Sequence, residues 1–366
     1  MTKHILHLVD DTTAGGVTRM LERLTALSPS ETTHEIRTLR KGQWTTAVFK
    51  ADILVSHLSV NWRSVPMFFA LRALHPKLPL IHVEHSYSAG FVAANVVPYK
   101  RFTALLRSCY ALFDKVVAVS SGQEEWILRH GLVSREALTT IRPVVDLAPF
   151  LGLEVSLKAK PERVGLIGRL HRQKGFDIAI KAFLAADPDF TLEIHGDGPD
   201  RAALEALAQG HERIRFHGFA KDPAAAMAQC DVVLMPSRWE PFGLVALEAQ
   251  AAGRAVFCAA ADGYTEHVAG GAVAVAGGSV EAWADVMTGL SDWGLPRRGI
   301  QGRQHALKAE DRFVGQWMSL FDALSNRGEV QATPPRVKAD AAIGQAASPA
   351  GIALGLPVPS RSFKQI

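Results

Sequence analysis

Two glutamates, Glu240 and Glu248, stand eight positions apart in the run Ser237-Arg238-Trp239-Glu240-Pro241-Phe242-Gly243-Leu244-Val245-Ala246-Leu247-Glu248. The apolar stretch Asp231–Met235 leads into this run and the small residues Ala249–Gly253 follow it. The segment therefore reads as strand, loop and helix. Proline favours the first helical position. A helix opening at Pro241 puts Glu240 in the preceding loop and Glu248 about two turns inside. The N–H groups of Phe242, Gly243 and Leu244 then lie between the two acids, and a helix start attracts anions through such unpaired donors and its dipole. Carboxylates on either side of an anion site can accept hydrogen bonds from sugar hydroxyls flanking a phosphate. The chemistry suggested is recognition of a nucleotide sugar.

Other short elements fall at similar places. Gly168-Arg169-Leu170 leaves the apolar strand that starts at Arg163, and Lys174-Gly175 follows it. Two fixed cations there can stabilise the negative charge that develops on a departing nucleoside diphosphate. Gly196-Asp197-Gly198-Pro199 makes a tight turn after the next strand, and His217-Gly218-Phe219 ends the one after that. Gly15-Gly16-Val17 joins the first strand of the chain to its helix, where glycine permits close approach of the backbone to a ligand. His85 and His57 each end a strand in the first half, whereas His82 alternates to the opposite face.

The block Pro236-Ser237-x-x-Glu240-x-Phe242-Gly243-x-x-x-x-Glu248 resembles the Glu-x7-Glu signature of retaining glycosyltransferases of the GT-B fold, family 4. Gly168-Arg169-Leu170…Lys174-Gly175 is similar to the element whose Arg and Lys hold the donor diphosphate in that family. The resemblance implies that Glu240, Arg169, Lys174 and His85 serve catalysis, His85 contacting the transferred sugar. It assigns donor binding to Glu248, Phe242, Gly243, Leu244, Gly15, Gly16, Gly198 and Gly218. It also implies a retaining transfer with no cofactor and no metal, the nucleotide sugar being a substrate. Two departures stand out. Asp262 replaces the first glycine of the usual pair before Tyr264-Thr265-Glu266, and Arg142-Pro143-Val144-Val145-Asp146 replaces the usual Asn-Gly before the linker.

To position these residues the chain must build strands whose ends converge. Apolar, β-branched runs alternate with helical patterns, which argues for parallel sheets with crossover helices. In the first half the spacing predicts strands at Ile5–Val9, Glu35–Leu39, Ile53–Ser56, Leu80–Val83 and Lys115–Val119, with helices at Val17–Leu27, Val65–Leu74, Tyr99–Phe113 and Gln123–His130. A second series runs through Arg163–Gly168, Thr191–Ile194, Ile214–Phe216, Val232–Met235 and Ala255–Cys258. The fold class expected is α/β, with two Rossmann-like domains facing across a cleft: an acceptor-side domain at 1–150 and a donor domain at 151–325. Phe313, Trp317, Phe321 and Leu324 give the last helix a packing face, and residues 326–366 read as a disordered low-complexity tail.

The 366 residues, 48% hydrophobic and 21% charged, describe an ordinary globular chain with room for two domains. Residues 1–150 carry 17 Lys and Arg against 12 Asp and Glu, and residues 151–326 carry 18 against 22, a small asymmetry open to two accounts, attraction of an anionic acceptor or membrane surface or a solvated surface without special meaning; no nucleic-acid partner is expected. Cys109, Cys230 and Cys258 lack metal spacing and sit in apolar surroundings, as reduced core thiols do. Asp187-Pro188-Asp189 reads as a turn rather than a metal motif. No apolar run reaches the roughly 18 residues of a membrane span. The reading is a cytoplasmic protein, free or peripheral at the inner membrane surface, taking a nucleotide-sugar donor and a glycan or lipid-linked acceptor. The basic and aromatic stretch Tyr99–Tyr110 is open to two accounts, a lipid-facing surface or a plain amphipathic helix. A same-fold epimerase and a non-catalytic nucleotide-sugar binder remain as alternatives. A dehydrogenase is disfavoured, since neither half carries Gly-x-Gly-x-x-Gly after its first strand.

Overall fold

The computed structural model describes residues 2–10, 15–39 and 47–325. Within them the strands form two wholly parallel sheets of six. The first contains β1 (Lys3–Val9), β2 (Thr32–Thr38), β3 (Ile53–Ser56), β4 (Leu80–Glu84), β5 (Lys115–Ala118) and β6 (Leu138–Thr140), in the order β2-β1-β3-β4-β5-β6. The second contains β7 (Arg163–Ile167), β8 (Thr191–His195), β9 (Ile214–Gly218), β10 (Val232–Met235), β11 (Ala255–Ala259) and β12 (Val273–Val275), in the order β12-β11-β10-β7-β8-β9. Central strands such as Ile53-Leu54-Val55-Ser56 and Val232-Val233-Leu234-Met235 are buried along their whole length. That is why they read as unbroken apolar runs: helices cover both faces of a parallel sheet.

In the first half the connections are α1 (Gly16–Leu27), α2 (Val65–Leu74), α3 (Ala89–Asn95), α4 (Tyr99–Tyr110) and α5 (Ser121–Arg129). The short α6 (Ala148–Leu151) lies in the passage between the sheets. The second half adds α7 (Phe176–Ala186), α8 (Arg201–Ala208), α9 (Pro223–Ala228), α10 (Leu244–Ala251), α11 (Thr265–Val268), α12 (Val280–Thr288), α13 (Leu295–Ala306) and α14 (Ala309–Ser325). Local chemistry sets several of these boundaries. Ser120 caps α5 by accepting from the Gln123 N–H, and Asp222 caps α9 just before Pro223. Asp187 ends α7 at φ 43°, and it is tied there by Arg213, while Asp189 pairs with Lys160. The Asp-Pro-Asp step is thus a turn with its own ion pairs.

The strand order explains where the site can be. In the first sheet the chain leaves β1 toward β2 on one side and returns to β3 on the other; in the second it does the same at β7, with β8 on one side and β10 on the other. A crevice opens at such a switch point, beyond the carboxyl ends of the strands. The loops after β1, β3, β4, β7 and β10 hold Gly15-Gly16, His57, His85, Arg169-Lys174 and Glu240.

One apolar cluster runs from Ile5 and Val117 of the first sheet through Val144 and Leu147 to Leu166 and Val233 of the second. The last helix helps to close it. Phe313, Trp317, Phe321 and Leu324 are all buried, as their spacing predicts. However, α14 also reaches back to the first sheet, since Lys3 pairs with Asp322 and Gln316 donates to the Thr140 carbonyl at 3.3 Å. At its start, Glu310 accepts from Arg23 Nε of α1 at 3.0 Å and from the Leu147 N–H at 3.2 Å. The residues at 326–366, read above as a tail, lie outside the described part of the chain.

Among the described residues no helix is long and apolar enough to cross a membrane. Cys109, Cys230 and Cys258 are free and buried, and burial pushes their thiols up, to about 11, 12 and 12 respectively. Helix α4 buries Leu105, Leu106, Cys109 and Tyr110, and its Arg107 donates to the carbonyls of His130 and Gly131. Removing the partly buried Glu310 side chain strands the Leu147 N–H and leaves the Arg23 guanidinium with Asp146, 3.5 Å away. Glu310→Ala should lower stability by roughly 1–3 kcal/mol, read from the urea midpoint; an unshifted midpoint would mean that α14 is held by its apolar face alone.

Candidate active site at the facing strand ends

The segment from β10 to α10 carries the two glutamates. Here the structure corrects one expectation: the helix does not open at Pro241 but at Leu244, with Gly243 before it at φ 94°. Pro241 and Phe242 therefore belong to the loop, and Glu248 is the fifth residue of the helix rather than two turns inside. The cause is the left-handed turn at Gly243, which an L side chain rarely adopts. A Cβ added there would also lie 2.5 Å from the Tyr264 ring. The consequence for donors is small. Among the described residues the N–H groups of Phe242, Gly243 and Leu244 find no protein acceptor, nor does that of Val245, so the open amides include the three the sequence suggests.

Glu240 is 8% exposed and Glu248 2%. A buried carboxylate needs a cation or hydrogen-bond donors. Glu240 receives Lys174, which follows β7 in the same half. Glu248 has Arg19 of α1, from the other half, with a guanidinium nitrogen 2.6 Å from Oε1. Burial pushes the Glu248 carboxyl up, while Arg19 and Lys174 pull it back. Arg169 is exposed and makes no ion pair among the described residues.

The loops bearing Lys174 and Glu240 are stitched together. Arg238 donates to both carboxylate oxygens of Asp177, at 2.8 and 2.7 Å, and its N–H binds the Gln173 carbonyl at 2.8 Å. Gly175, at φ 66°, lets the Lys174 turn pass so close that a Cβ would lie 2.1 Å from the Pro236 carbonyl oxygen. Beyond β8, the Leu170 N–H donates to the Asp197 carbonyl at 2.9 Å in the turn that holds Gly198, and the Gly196 N–H donates to the Gly218 carbonyl at 2.8 Å. Gly198 and Gly218 thus close the neighbouring turns through backbone bonds. Phe219, next to Gly218, is 69% exposed. The Phe242 side chain is buried, edge-on to His267, whose Nε2 lies 3.0 Å from the Phe242 carbonyl.

From the first half, the Gly15-Gly16 start of α1 comes against the start of α10: a Cβ on Gly16 would lie 2.9 Å from Leu244 Cδ1. His85 follows β4 and is half-buried; its Nε2 lies 2.8 Å from His57 Nδ1. His82 is buried among Phe68, Tyr110 and Phe113, away from this edge. The structure brings Gly16, Glu240, Glu248 and Lys174 to one place, and sets His85 at the facing strand end.

Two acids that follow β11 tie the halves together. Asp262, at φ 43°, accepts from the Gly90 N–H at 2.9 Å and from the Ser88 hydroxyl at 2.7 Å, both at the start of α3. Glu266 accepts from Arg142 Nε at 2.5 Å and from the Ser121 N–H at the start of α5. Carboxylates at helix starts are favourable through the open amides and the dipole. Both departures noted in the sequence, Asp262 and Arg142, thus meet at contacts between the two sheets. Among the described residues no group of three or more His, Cys, Asp or Glu side chains could hold a metal ion.

Comparison with known proteins agrees with this layout. Residues 15–149 match the family model described as Glycosyltransferase Family 4, and residues 161–292 match the model described as Glycosyl transferases group 1. The chain belongs to the family 4 glycosyltransferases of GT-B fold. A D-inositol 3-phosphate glycosyltransferase of Corynebacterium aurimucosum is 28% identical over 76% of this chain and 72% of its own length. A glycogen synthase of Mycobacterium tuberculosis is 32% identical over 62% of this chain and 56% of its own. The chain spans 56–72% of the length of eight of the curated relatives it matches. Among solved structures, a sucrose-phosphate synthase from Thermosynechococcus elongatus matches with a TM-score of 0.73 at 20% identity, covering 89% of this chain and 100% of that one. HepE of Anabaena, solved with UDP and glucose, matches at 0.68 and 18%, covering 88% and 100%.

Within this family 4 chain, Arg19 and Asp262 were not singled out as site residues by their sequence context. Each acts across the sheets; Asp262 stood out only as a departure from the family's glycine pair, and nothing local marks Arg19. The Glu266 contact also has a pH signature. Burial raises its carboxyl, but the bonds from Arg142 and Ser121 outweigh that and hold it below the ordinary 4.5. A lowered folded value stabilises above the unfolded value and is lost as pH falls through the folded one. The stability gap between wild type and Glu266→Gln should therefore be full at neutral pH and shrink below about pH 4.5, followed by thermal unfolding; a gap that stays constant into acid would show that the contact does not titrate there.

Proposed function

We propose that this chain is a retaining glycosyltransferase that moves a sugar from a UDP- or GDP-sugar to a hydroxyl acceptor in cell-surface polysaccharide or glycolipid synthesis. The observation that carries the reading is the pair of buried carboxylates, Glu240 and Glu248, on either side of a helix start with open amides, with Lys174 in contact and Arg169 on the adjoining loop. Residues 151–325 would supply the donor side and residues 1–150 the acceptor side. Glu248 accepts from the ribose hydroxyls, and Glu240 with the amides of Phe242, Gly243 and Leu244 orients the sugar. Arg169 and Lys174 carry the diphosphate as charge develops on it, with no metal required. His85 touches the sugar from the first half, beside the Gly15-Gly16 loop.

In the transfer the anomeric carbon–diphosphate bond breaks and the acceptor oxygen bonds to the anomeric carbon from the same face. The acceptor proton passes to the departing diphosphate, so no protein nucleophile is needed. HepE, solved with UDP and glucose, supplies a relative of this fold that holds such a donor's parts. The acceptor, a glycan or a lipid-linked sugar, would meet the first half. There Val97, Trp62 and Tyr99 are exposed near Arg101, which stacks 5.3 Å over the Trp62 ring, a surface suited to peripheral contact with a membrane.

Thermal shift with UDP, GDP and ADP sugars should identify the donor, with the UDP or GDP series raising the melting temperature. Lys174→Ala and Glu248→Ala should each keep the fold, checked by circular dichroism, and lower transfer by roughly a hundredfold or more, the usual cost of one electrostatic group at the reacting centre. Wild-type turnover in either variant would sink the assignment of the site, and epimerised donor without transfer would sink the reaction type.

A further inference from the structure

Four histidines form a continuous chain across the first sheet, one on or just beyond each of β2, β1, β3 and β4. His34 Nδ1 lies 2.9 Å from His7 Nε2, His7 Nδ1 lies 3.0 Å from His57 Nε2, and His57 Nδ1 lies 2.8 Å from His85 Nε2. Successive ring centroids lie 5.2, 5.3 and 5.1 Å apart with planes inclined by 22°, 27° and 25°, so the rings meet edge to edge along the line of the N···N contacts. At the outer end, His34 Nε2 lies 2.8 Å from the Ser28 hydroxyl, at the C-cap of α1. His7 is fully buried and His57 7% exposed. Burial lowers His7 to about 3, His34 and His85 to about 4, and His57 well below its ordinary value, so the rings are neutral near pH 7.

A neutral imidazole donates through one nitrogen and accepts through the other. The chain can therefore run in only two directions, and all four rings must agree. The Ser28 hydroxyl decides between them. Its single proton goes to the Leu24 carbonyl at 2.7 Å, so its oxygen accepts from His34 Nε2–H. His7 Nε2–H then donates to His34, His57 Nε2–H to His7, and His85 Nε2–H to His57. The opposite direction would take the Ser28 proton away from Leu24 and lose one hydrogen bond. Among the described residues His85 Nδ1 has no protein partner.

We propose that Ser28, His34, His7 and His57 are positioning residues that hold His85 in its Nε2–H tautomer, so that Nδ1 meets the transferred sugar as a hydrogen-bond acceptor. The sugar contact rests on the glycosyltransferase reading above; the tautomer does not. A donor sugar must then bring a hydroxyl that donates to Nδ1, and an acceptor-only group at that carbon is refused.

The test uses the whole chain labelled with nitrogen-15 in its histidines, without donor, and reads the His85 tautomer from long-range proton–nitrogen correlations. His85→Gln assigns the signals. Wild type should show the Nε2–H form of His85. Ser28→Ala and His34→Leu, both at the half-buried outer end, should mix the two forms, and Ser28→Thr, which keeps the hydroxyl, should restore the first. With the donor sugar present, His34→Leu should lower kcat about tenfold, one hydrogen bond's worth, with KM for the donor nearly unmoved. An Nδ1–H signal for His85 in wild type, or an Nε2–H signal that survives His34→Leu, overturns the relay. Absence of transfer from every donor while His85 keeps Nε2–H leaves the relay standing and defeats the functional reading instead.

Discussion

Two carboxylates from one loop and helix are buried, and a buried carboxylate must be compensated. Glu240 finds its cation in its own half and Glu248 finds one across the cleft. This requirement links the parts of the molecule. It forces the β7 and β10 loops together, which needs the close passage at Gly175, and it draws the start of α1 against Leu244. On the proposed reading the same pairing prepares the site for its substrate. A diphosphate entering the helix start competes for Lys174 and Arg19, and the hydroxyls of the sugar and ribose replace those cations as partners of the glutamates. The charges in the cleft are then exchanged rather than created, which limits the reorganisation that binding requires.

The cleft is held from its rim by a different device. Asp262 and Glu266 lie one turn apart, and each meets the N-terminal end of a helix in the first half, α3 and α5. Asp262 adopts a left-handed backbone to do so, a conformation more costly for aspartate than for the glycine that the family pattern would place there. Its two bonds to α3 offset that cost. Arg142, standing where the resemblance leads one to expect a plainer hinge, completes the Glu266 contact and reaches the Ser121 hydroxyl at 2.8 Å. The two departures in sequence are thus two halves of one arrangement, a tie between sheets that relies on carboxylates and helix ends.

How much of this could be read beforehand followed the range of the interactions. The central strands were legible because burial on both faces leaves few polar positions, and Val232–Met235 matches its expected bounds. The outermost strands β6 and β12 were not, since Leu138-Thr139-Thr140 and Val273-Ala274-Val275 are only three residues long and their pairing comes from the sheet, not from any pattern of their own. The Glu240–Glu248 segment was legible as a block, but its helix start was displaced to Leu244 because the turn at Gly243 outweighs the preference of proline for a first helical position. Arg19 carried no local signal at all. A single arginine in an amphipathic helix reads as surface charge until the opposite half places Glu248 beside it.

The histidine chain shows the same limit in its sharpest form. His7, His34, His57 and His85 follow one another at intervals of about one strand and one crossover, and nothing in the spacing connects them. His7 and His34, taken alone, are ordinary strand residues, and His57 and His85 stand out only as strand ends. Only the order β2-β1-β3-β4 makes them neighbours, and only their burial makes the neighbourhood restrictive. In water each ring would satisfy itself separately, whereas inside the sheet no ring can change its tautomer without changing the next. The inner rings are satisfied at both nitrogens by this chain, and choice remains only at its ends. One end is fixed by the Ser28 hydroxyl on the outside of the sheet, and the other is His85 at the edge of the cleft. A polar network that a parallel sheet must complete in order to bury four imidazoles therefore delivers a defined acceptor to the place where, on the proposed reading, the sugar is held.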